Sequence, residues 1–254
     1  MKRSRLGCLF VFLFMFFISD YSYALLISPY AGYISIHDYA KIGTIADYSS
    51  SNGGQHNFTN SSLHRSIYAQ AIMNGGRLRV GSRVDAGWLD NAHGNVSIYQ
   101  YFFGGNYNYS NPISKKLRSH AYWYYDFTLS SPAVFSMDYN NRYRTGIPWS
   151  WMIPYRLYID LRDVNGHWVR VGGADFWKEQ NKKYQTLLDN AGRYRISLAT
   201  YIKGSTLSNN KLYGKRLGDF DWKLEDAPAP VPEPASGLLV LLGLSFIFRN
   251  RKKR

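Results

Sequence analysis

Cysteine is nearly absent from this 254-residue chain: the single one, Cys8, lies in an apolar N-terminal segment. Without a second cysteine the chain cannot build a disulfide framework of its own. Loss of the N-terminal segment would also remove the only thiol, and with it any thiol chemistry.

Sequence motifs of common catalytic and metal sites are missing as well. The chain has no Gly-x-Ser-x-Gly nucleophile elbow and no His-Glu-x-x-His zinc motif. Gly-Gly pairs occur without the spacing of a phosphate-binding loop. Six histidines are scattered, and we interpret them as structural or surface residues, with a zinc site assembled by the fold as the alternative; they are His37, His56, His64, His93, His120 and His167. We therefore predict no metal and no cofactor.

Two pairs of carboxylates, Asp160/Asp163 and Asp219/Asp221, are the remaining catalytic candidates. A glycosidase needs two carboxyl groups across a cleft. Asp160 is predicted on the polar face of a strand and Asp163 in a hairpin turn, so solvation and turn chemistry explain their spacing. Calcium binding near Asp163 is the alternative, but the turn role suffices. We predict no catalytic residue.

Sustained helical periodicity is also missing, whereas period-two alternation recurs, which predicts an all-β fold. Residues 156–171 show it best: Leu157, Ile159 and Leu161 alternate with polar residues before the hairpin signal Asn165-Gly166. Val169 and Val171 are expected to continue the apolar side of the return strand. Further strands are predicted at residues 66–73, 77–86, 122–129, 133–139 and 193–202, whereas residues 177–188 fit a helix or a loop. Many short strands favour a sandwich or barrel, formed by one exported domain at residues 25–225.

Residues 1–24 have the order of a secretory signal peptide. A basic stretch with Lys2, Arg3 and Arg5 precedes an apolar run, and small residues at Ser22 and Ala24 predict cleavage after Ala24. The alternative is an uncleaved anchor helix.

The C-terminus has a matching three-part order. A Pro/Ala linker at residues 226–230 leads to a Pro-Glu-Pro box, an uncharged apolar run at 235–248 and a basic end at 249–254. The run would be about 21 Å long as a helix, short for a bilayer core of about 30 Å. Basic residues would hold that end on the cytoplasmic side; they are Arg249, Arg251, Lys252, Lys253 and Arg254.

Residues 231–254 resemble the PEP-CTERM sorting signal of Gram-negative bacteria, and Val231, Pro232, Glu233 and Pro234 carry the motif. The resemblance implies export through the Sec translocon and signal peptidase, transient insertion in the inner membrane, and processing by an exosortase. It also implies a mature form at the cell surface or in an exopolysaccharide matrix. An ordinary C-terminal membrane anchor is the alternative.

The central part of the chain gives a looser resemblance. Segments such as Tyr125-Asp-Phe-Thr-Leu, Tyr158-Ile-Asp-Leu and Gly218-Asp-Phe-Asp-Trp, spread over residues 121–224, resemble the jelly-roll β-sandwiches of PEP-CTERM substrates and of prepeptidase C-terminal modules. The resemblance implies a jelly-roll-like antiparallel sandwich and no particular activity.

Positive charge and tyrosine remain to be explained in this domain. The chain carries 31 Lys/Arg and 17 Asp/Glu; without the two targeting ends the formal charge falls from +14 to +8. This balance fits contact with acidic polysaccharide, or simple solubility; nucleic acid is not expected for an exported chain. In many β-sandwich modules, rows of exposed aromatic side chains bind polysaccharide. Cross-strand packing is the competing explanation for the aromatic residues of this domain. The candidate glycan contacts are Arg77, Arg79, Arg83, Tyr122 and Tyr124.

These sequence features lead to three alternative hypotheses of function. The first is a non-enzymatic protein of the cell surface, exopolysaccharide matrix or biofilm. The second is a carbohydrate-binding module, and the third is a secreted hydrolase.

Changing Pro232, Glu233 and Pro234 together to alanine is expected to block removal of the tail in the native host, because the box would be the processing site. Mass spectrometry of the C-terminus and cell fractionation would measure this. Pro228→Ala in the linker is the control, and tail removal that persists in the triple variant would contradict the sorting hypothesis.

Overall fold

The computed structural model describes residues 25–73, 76–105, 113–177, 182–207 and 211–228. Residues 25–226 within these ranges belong to one compact unit. The predicted signal peptide with Ala24, the sorting motif with its apolar and basic segments, and part of the linker lie outside the described residues. Within those ranges, no helix combines the length and apolarity that crossing a membrane requires.

The described residues form twelve strands and one 3-10 turn, Trp149–Trp151. The strands are β1 (Ile27–Ile42), β2 (Ile45–Gln55), β3 (Ser61–Met73), β4 (Gly76–Trp88), β5 (His93–Gly105), β6 (Ser114–Leu129), β7 (Ala133–Thr145), β8 (Met152–Arg162), β9 (Trp168–Phe176), β10 (Lys182–Leu188), β11 (Gly192–Leu207) and β12 (Leu212–Asp226).

All strand pairs described are antiparallel and belong to two six-stranded sheets. Sheet I has the order β2-β1-β6-β11-β8-β9, and sheet II has the order β10-β7-β12-β5-β4-β3. At one side of the sandwich the edge strands are tied together, since Arg65 Nε of β3 donates to the Asn52 carbonyl of β2 at 3.2 Å. This arrangement confirms the prediction of an antiparallel all-β fold with two sheets.

Strands β5 to β12 pair as a nested set. β5 pairs with β12, β6 with β11, β7 with β10 and β8 with β9. The chain therefore crosses repeatedly between the sheets. β1 and β2 extend sheet I beyond β6, and β3 and β4 extend sheet II beyond β5.

The strands predicted at residues 66–73, 77–86, 122–129, 133–139 and 193–202 lie within β3, β4, β6, β7 and β11. The hairpin at Asn165-Gly166 is confirmed: Gly166 has φ +85, and its N–H donates to the Asp163 carbonyl at 3.0 Å.

Two expectations near the sheet edges are wrong. Residues 182–188 form strand β10 rather than a helix or loop, because pairing with β7 overrides a weak local pattern. Val169 pairs with Leu161 and so lies on the expected side of β9, half exposed at the sheet edge, whereas Val171 does not continue that side. Val171 is the extra residue of a bulge, since Ile159 pairs with Gly172 and Asp160 pairs with Arg170.

The two sheets meet through an aromatic core. Trp222 of sheet II lies with its ring centroid 5.0 Å from Tyr125 and 6.3 Å from Trp123 of sheet I. Phe220 packs edge-to-face on Tyr155 at 5.2 Å. All five side chains are buried. Burial raises the pKa of Tyr155 to about 12, and its hydroxyl donates to the Ile98 carbonyl at 3.3 Å. Part of the tyrosine content is therefore core packing.

A buried polar layer separates this core from a second, smaller apolar cluster around Leu78, Phe102 and Leu117. The layer consists of Asp38, Ser82, Gln100, Ser119 and Arg216, all buried. Ser82 Oγ donates to Asp38 Oδ1 at 2.6 Å and lies 2.6 Å from Ser119 Oγ. Gln100 Nε2 donates to Ser119 Oγ at 2.8 Å, and Arg216 Nε donates to Gln100 Oε1 at 3.1 Å.

Burial raises the pKa of Asp38 from 3.8 to about 7, although hydrogen bonds from Ser82 and Ser119 oppose the shift. Between pH 4 and 7 the folded protein therefore keeps a proton that the unfolded chain has lost. Its free energy of unfolding consequently falls as the pH rises through this window.

Asp38→Asn is expected to remove this contribution. Between pH 5 and pH 8 the wild-type domain, residues 25–228, should lose on the order of 2 kcal/mol more unfolding free energy than the variant. Urea denaturation at the two pH values measures the difference, with Asp189→Asn at an exposed turn as the control. Equal losses in wild type and Asp38→Asn would contradict the assignment.

Candidate functional site

The outer side of sheet I carries interleaved aromatic and arginine side chains. Burial alternates along β1, β6, β8 and β11, so these side chains point away from the core. We call this surface the Arg–aromatic face; it consists of Tyr30, Tyr33, Tyr122, Tyr124, Tyr158, Trp168, Arg170, Arg193 and Arg195.

Cross-strand register brings the rings of this face together. Tyr33 of β1 pairs with Tyr124 of β6, and their rings stack with centroids 5.3 Å apart. Tyr122 lies next to Tyr124 along the same strand at 5.9 Å. Burial raises the pKa of both Tyr122 and Tyr124, so their hydroxyl groups stay protonated near neutral pH. Neutral rings with a polar edge suit sugar stacking.

Each arginine of the face lies over a ring. Arg195 Cζ is 4.2 Å from the Tyr124 centroid and 4.5 Å from that of Trp168. Arg193 lies 3.6 Å above Tyr30, and Arg170 lies 3.8 Å above Tyr158. These cation–π contacts order both the rings and the guanidinium groups before any ligand binds.

Asp126, at the centre of the face, fixes two of the arginines. Its carboxylate accepts two bonds from Arg195, at 2.6 and 2.9 Å, and one from Arg193 at 3.3 Å. Burial lowers the pKa of Arg195, but the hydrogen bonds and charge of Asp126 outweigh it and the net shift is upward. The Arg195 guanidinium group is therefore held charged, and Asp126 fixes the positions of both guanidinium groups.

The β9 side of the face opens into a shallow depression of about 390 Å³. Tyr158, Arg170 and Asp175 line it, together with the backbone of Gly173. A Cβ at Gly173 would lie 2.4 Å from the Leu157 carbonyl oxygen, so the close approach of β9 to β8 requires glycine here. The missing side chain leaves a flat floor beside the Tyr158 ring.

Two histidines that are far apart in the sequence come together in the structure. His37 of β1 and His120 of β6 are cross-strand partners, with ring centroids 6.2 Å apart. Burial, and then the charge of His37, lower the pKa of His120. Among the described residues, no three His, Cys, Asp or Glu side chains cluster in a way that would hold a metal ion.

The predicted glycan contacts do not form one surface. Tyr122 and Tyr124 lie on the Arg–aromatic face of sheet I. Arg77, Arg79 and Arg83 lie on the outer side of sheet II, because β4 belongs to the other sheet. Arg79 lies 3.8 Å above the Tyr68 ring, and Arg83 Nε bonds to Asp85 at 2.7 Å.

The carboxylate pairs have structural partners. Asp160 bonds to Arg170, and Asp163 accepts the backbone N–H groups of Asn165 and His167 at 2.9 and 2.8 Å, as the turn interpretation predicts. Asp219 pairs with Arg142 at 2.7 Å.

Asp221 lies opposite Asp138 in register. Burial, and then the charges of Asp219 and Asp138, raise the pKa of Asp221. Asp219 is largely buried, and Asp221 lies two residues further along the same strand, unlike carboxyl groups placed across a cleft.

Comparison with known proteins identifies no family for this chain. No protein-family profile and no curated protein match the sequence. Among solved structures, the CBM22-1 xylan-binding domain of a Paenibacillus barcinonensis protein has 11% identity and a TM-score of 0.26, and the match covers 51% of this chain and 83% of that one. A GH31 alpha-xylosidase from Xanthomonas citri has 8% identity and a TM-score of 0.18, covering 72% of this chain and 30% of that one. Similarity at these scores carries no argument about fold or function.

Asp126→Ala is expected to destabilise the domain by about 2 kcal/mol, because the partly buried Arg193 and Arg195 lose their shared partner. Asp175→Ala is the matched control: its ion pair with Arg156 is long, 3.8 Å, and half exposed, so its loss should cost at most about 0.5 kcal/mol. Urea denaturation of residues 25–228 measures both. Equal effects would contradict the anchoring role of Asp126.

Proposed function

We propose that the protein is an exported, non-enzymatic polysaccharide-binding protein of the cell surface or exopolysaccharide matrix. The Arg–aromatic face is the binding surface in this proposal. The observation that carries it is the ordered alternation of rings and guanidinium groups across β1, β6, β11, β8 and β9.

Two physical properties of the face support polysaccharide as the ligand. The rings offer flat apolar surfaces with polar edges, which suits stacking of sugar rings. The face is also ordered before binding, because Asp126 holds Arg195 with two bonds and Arg195 in turn lies over Tyr124. Such preorganisation lowers the entropy cost of binding.

The route to the surface rests on the two ends of the sequence. In this proposal signal peptidase cuts after Ala24, and the apolar run at 235–248 pauses in the inner membrane. An exosortase then processes the chain at Pro232, Glu233 and Pro234. The domain between the ends would reach the polysaccharide that it binds.

The nested strand pairs further lead us to propose a jelly roll for β5 to β12. The pairs β5–β12, β6–β11, β7–β10 and β8–β9 correspond to a long hairpin rolled into two four-stranded sheets. β1 to β4 then widen both sheets, and β1 contributes Tyr30 and Tyr33 to the face.

A glycan array with neutral and acidic polysaccharides, probed with residues 25–228, tests the proposed function. Tyr124→Ala and Trp168→Ala are each expected to lower the affinity at least tenfold, since central aromatic hot spots contribute about 2 kcal/mol or more and tenfold corresponds to about 1.4 kcal/mol. Arg195 lies against both rings.

Tyr48→Ala on β2, an exposed ring outside the face, is the control and should bind as wild type does. Thermal unfolding of each variant would confirm that it is folded. The absence of binding to any neutral or acidic polysaccharide would overturn the proposal.

A further inference from the structure

The outer side of sheet II carries a second concentration of exposed rings and cations. Tyr68, Phe103 and Tyr213 are each about half exposed, on the separate strands β3, β5 and β12. We call this surface the basic face; it consists of Tyr68, Arg77, Arg79, Tyr101, Phe103, Tyr213 and Lys215.

Register places these side chains, apart from Arg77, in two adjoining rows across four strands, and Arg77 lies two residues before Arg79 on β4. Gln70, Arg79, Phe103 and Tyr213 form one row. The next row contains Tyr68, Gly81, Tyr101 and Lys215. The rows are neighbours because Arg79 and Gly81, like Phe103 and Tyr101, are two residues apart on one strand. The face is thus a continuous surface.

Gly81 flattens the centre of this surface. A Cβ at Gly81 would lie only 2.3 Å from a ring atom of Tyr101, so the Tyr101 ring crosses directly over the glycine backbone. Arg79 lies 3.8 Å above the Tyr68 ring and 5.8 Å from the Tyr101 centroid. The Arg79 guanidinium group therefore lies between two rings, one of which covers the glycine backbone.

The positive charge of the basic face indicates that its ligand is an anion. Arg79 and Lys215 in the two rows and Arg77 beside them supply three cations. The two rows contain no acidic residue, and Asp47 of β2 accepts the Gln70 backbone N–H at the end of one row at 2.7 Å. Further along β4 the charge balance differs, because Asp85 bonds to both Arg83 and His64. A carboxylated sugar matches this face, since guanidinium groups bind carboxylates and ring faces stack on sugars.

We propose that the basic face is a second binding site, specific for a carboxylated polysaccharide such as a polyuronate. The two sites lie on opposite sheets, so one domain bridges two polysaccharide chains. The bridging rests on the proposed function of the Arg–aromatic face, whereas the second site stands on its own contacts. The Tyr101 ring over Gly81 with the Arg79 guanidinium beside it favours a sugar chain over a lipid surface, because ring faces stack on sugars and a guanidinium group binds a carboxylate.

The test measures retardation of the full chain, in non-ionic detergent, on native gels containing polygalacturonate. Arg79→Gln and Tyr68→Ala are each expected to weaken retention at least tenfold. Arg83→Gln is the matched control on the same strand: its charge is already paired with Asp85, so retention should change less than twofold. Rising salt should weaken binding further.

The outcomes distinguish the two proposals. Loss of retention only in the sheet II variants supports the second site. Bridging is supported if the protein precipitates polygalacturonate together with a second polysaccharide and Tyr124→Ala abolishes this precipitation. Loss only in Tyr124→Ala overturns the second site and leaves the proposed function intact. Unchanged retention in both sets overturns the second site as well. Displacement of polygalacturonate by micelles doped with phosphatidylglycerol would instead identify the basic face as a membrane-binding surface.

Discussion

The contact of Trp222 with Tyr125 and Trp123 is the interaction on which the rest of the structure depends, because it joins the inner sides of the two sheets. Successive side chains of a strand point to opposite sides of the sheet. The two sequence neighbours of each core residue therefore point to the outer side. Tyr125 points inward, and Tyr124 therefore points outward. The aromatic core and the Arg–aromatic face are two consequences of one alternation along β6.

The polar layer gives this sandwich a second constraint. Asp38, Ser82 and Ser119 come from both sheets and hydrogen-bond in the interior, between two apolar clusters. Buried polar groups are costly unless they are paired, so this layer favours one alignment of the sheets over shifted ones. Arg216 extends the layer through Gln100 and lies 4.2 Å from the Tyr155 ring, which links the layer to the aromatic core.

Local pattern predicted β3, β4, β6 to β9 and β11. It missed β1, β5 and β12, whose burial alternates, and also β2 and β10, which are strands only because of pairing. β2 contains the run Ser49-Ser-Ser-Asn-Gly-Gly54, which has a loop composition, yet it pairs with β1 along its whole length. β10 is similarly polar and becomes a strand only beside β7. The same limit separated the predicted glycan contacts: alternation shows that Arg77, Arg79 and Arg83 share one side of β4, but not which sheet β4 joins. The sheet assignment depends on contacts distant in sequence, and so does the partnership of Tyr33 with Tyr124.

The flatness of these sheet surfaces limits the kind of ligand that they can bind tightly. Strands of 16 residues, such as β6 and β11, extend about 50 Å, and the depressions along the described surface are open and shallow. A small ligand would contact only a fraction of such a surface, whereas an extended polymer contacts many of its rings in succession. Each ring contributes little, so affinity has to come from repetition along the chain. In the proposed bridging, binding on one face would raise the effective concentration of polymer at the other. A sandwich with aromatic and cationic side chains on both outer sides therefore suits a matrix of long chains better than the capture of a single small molecule.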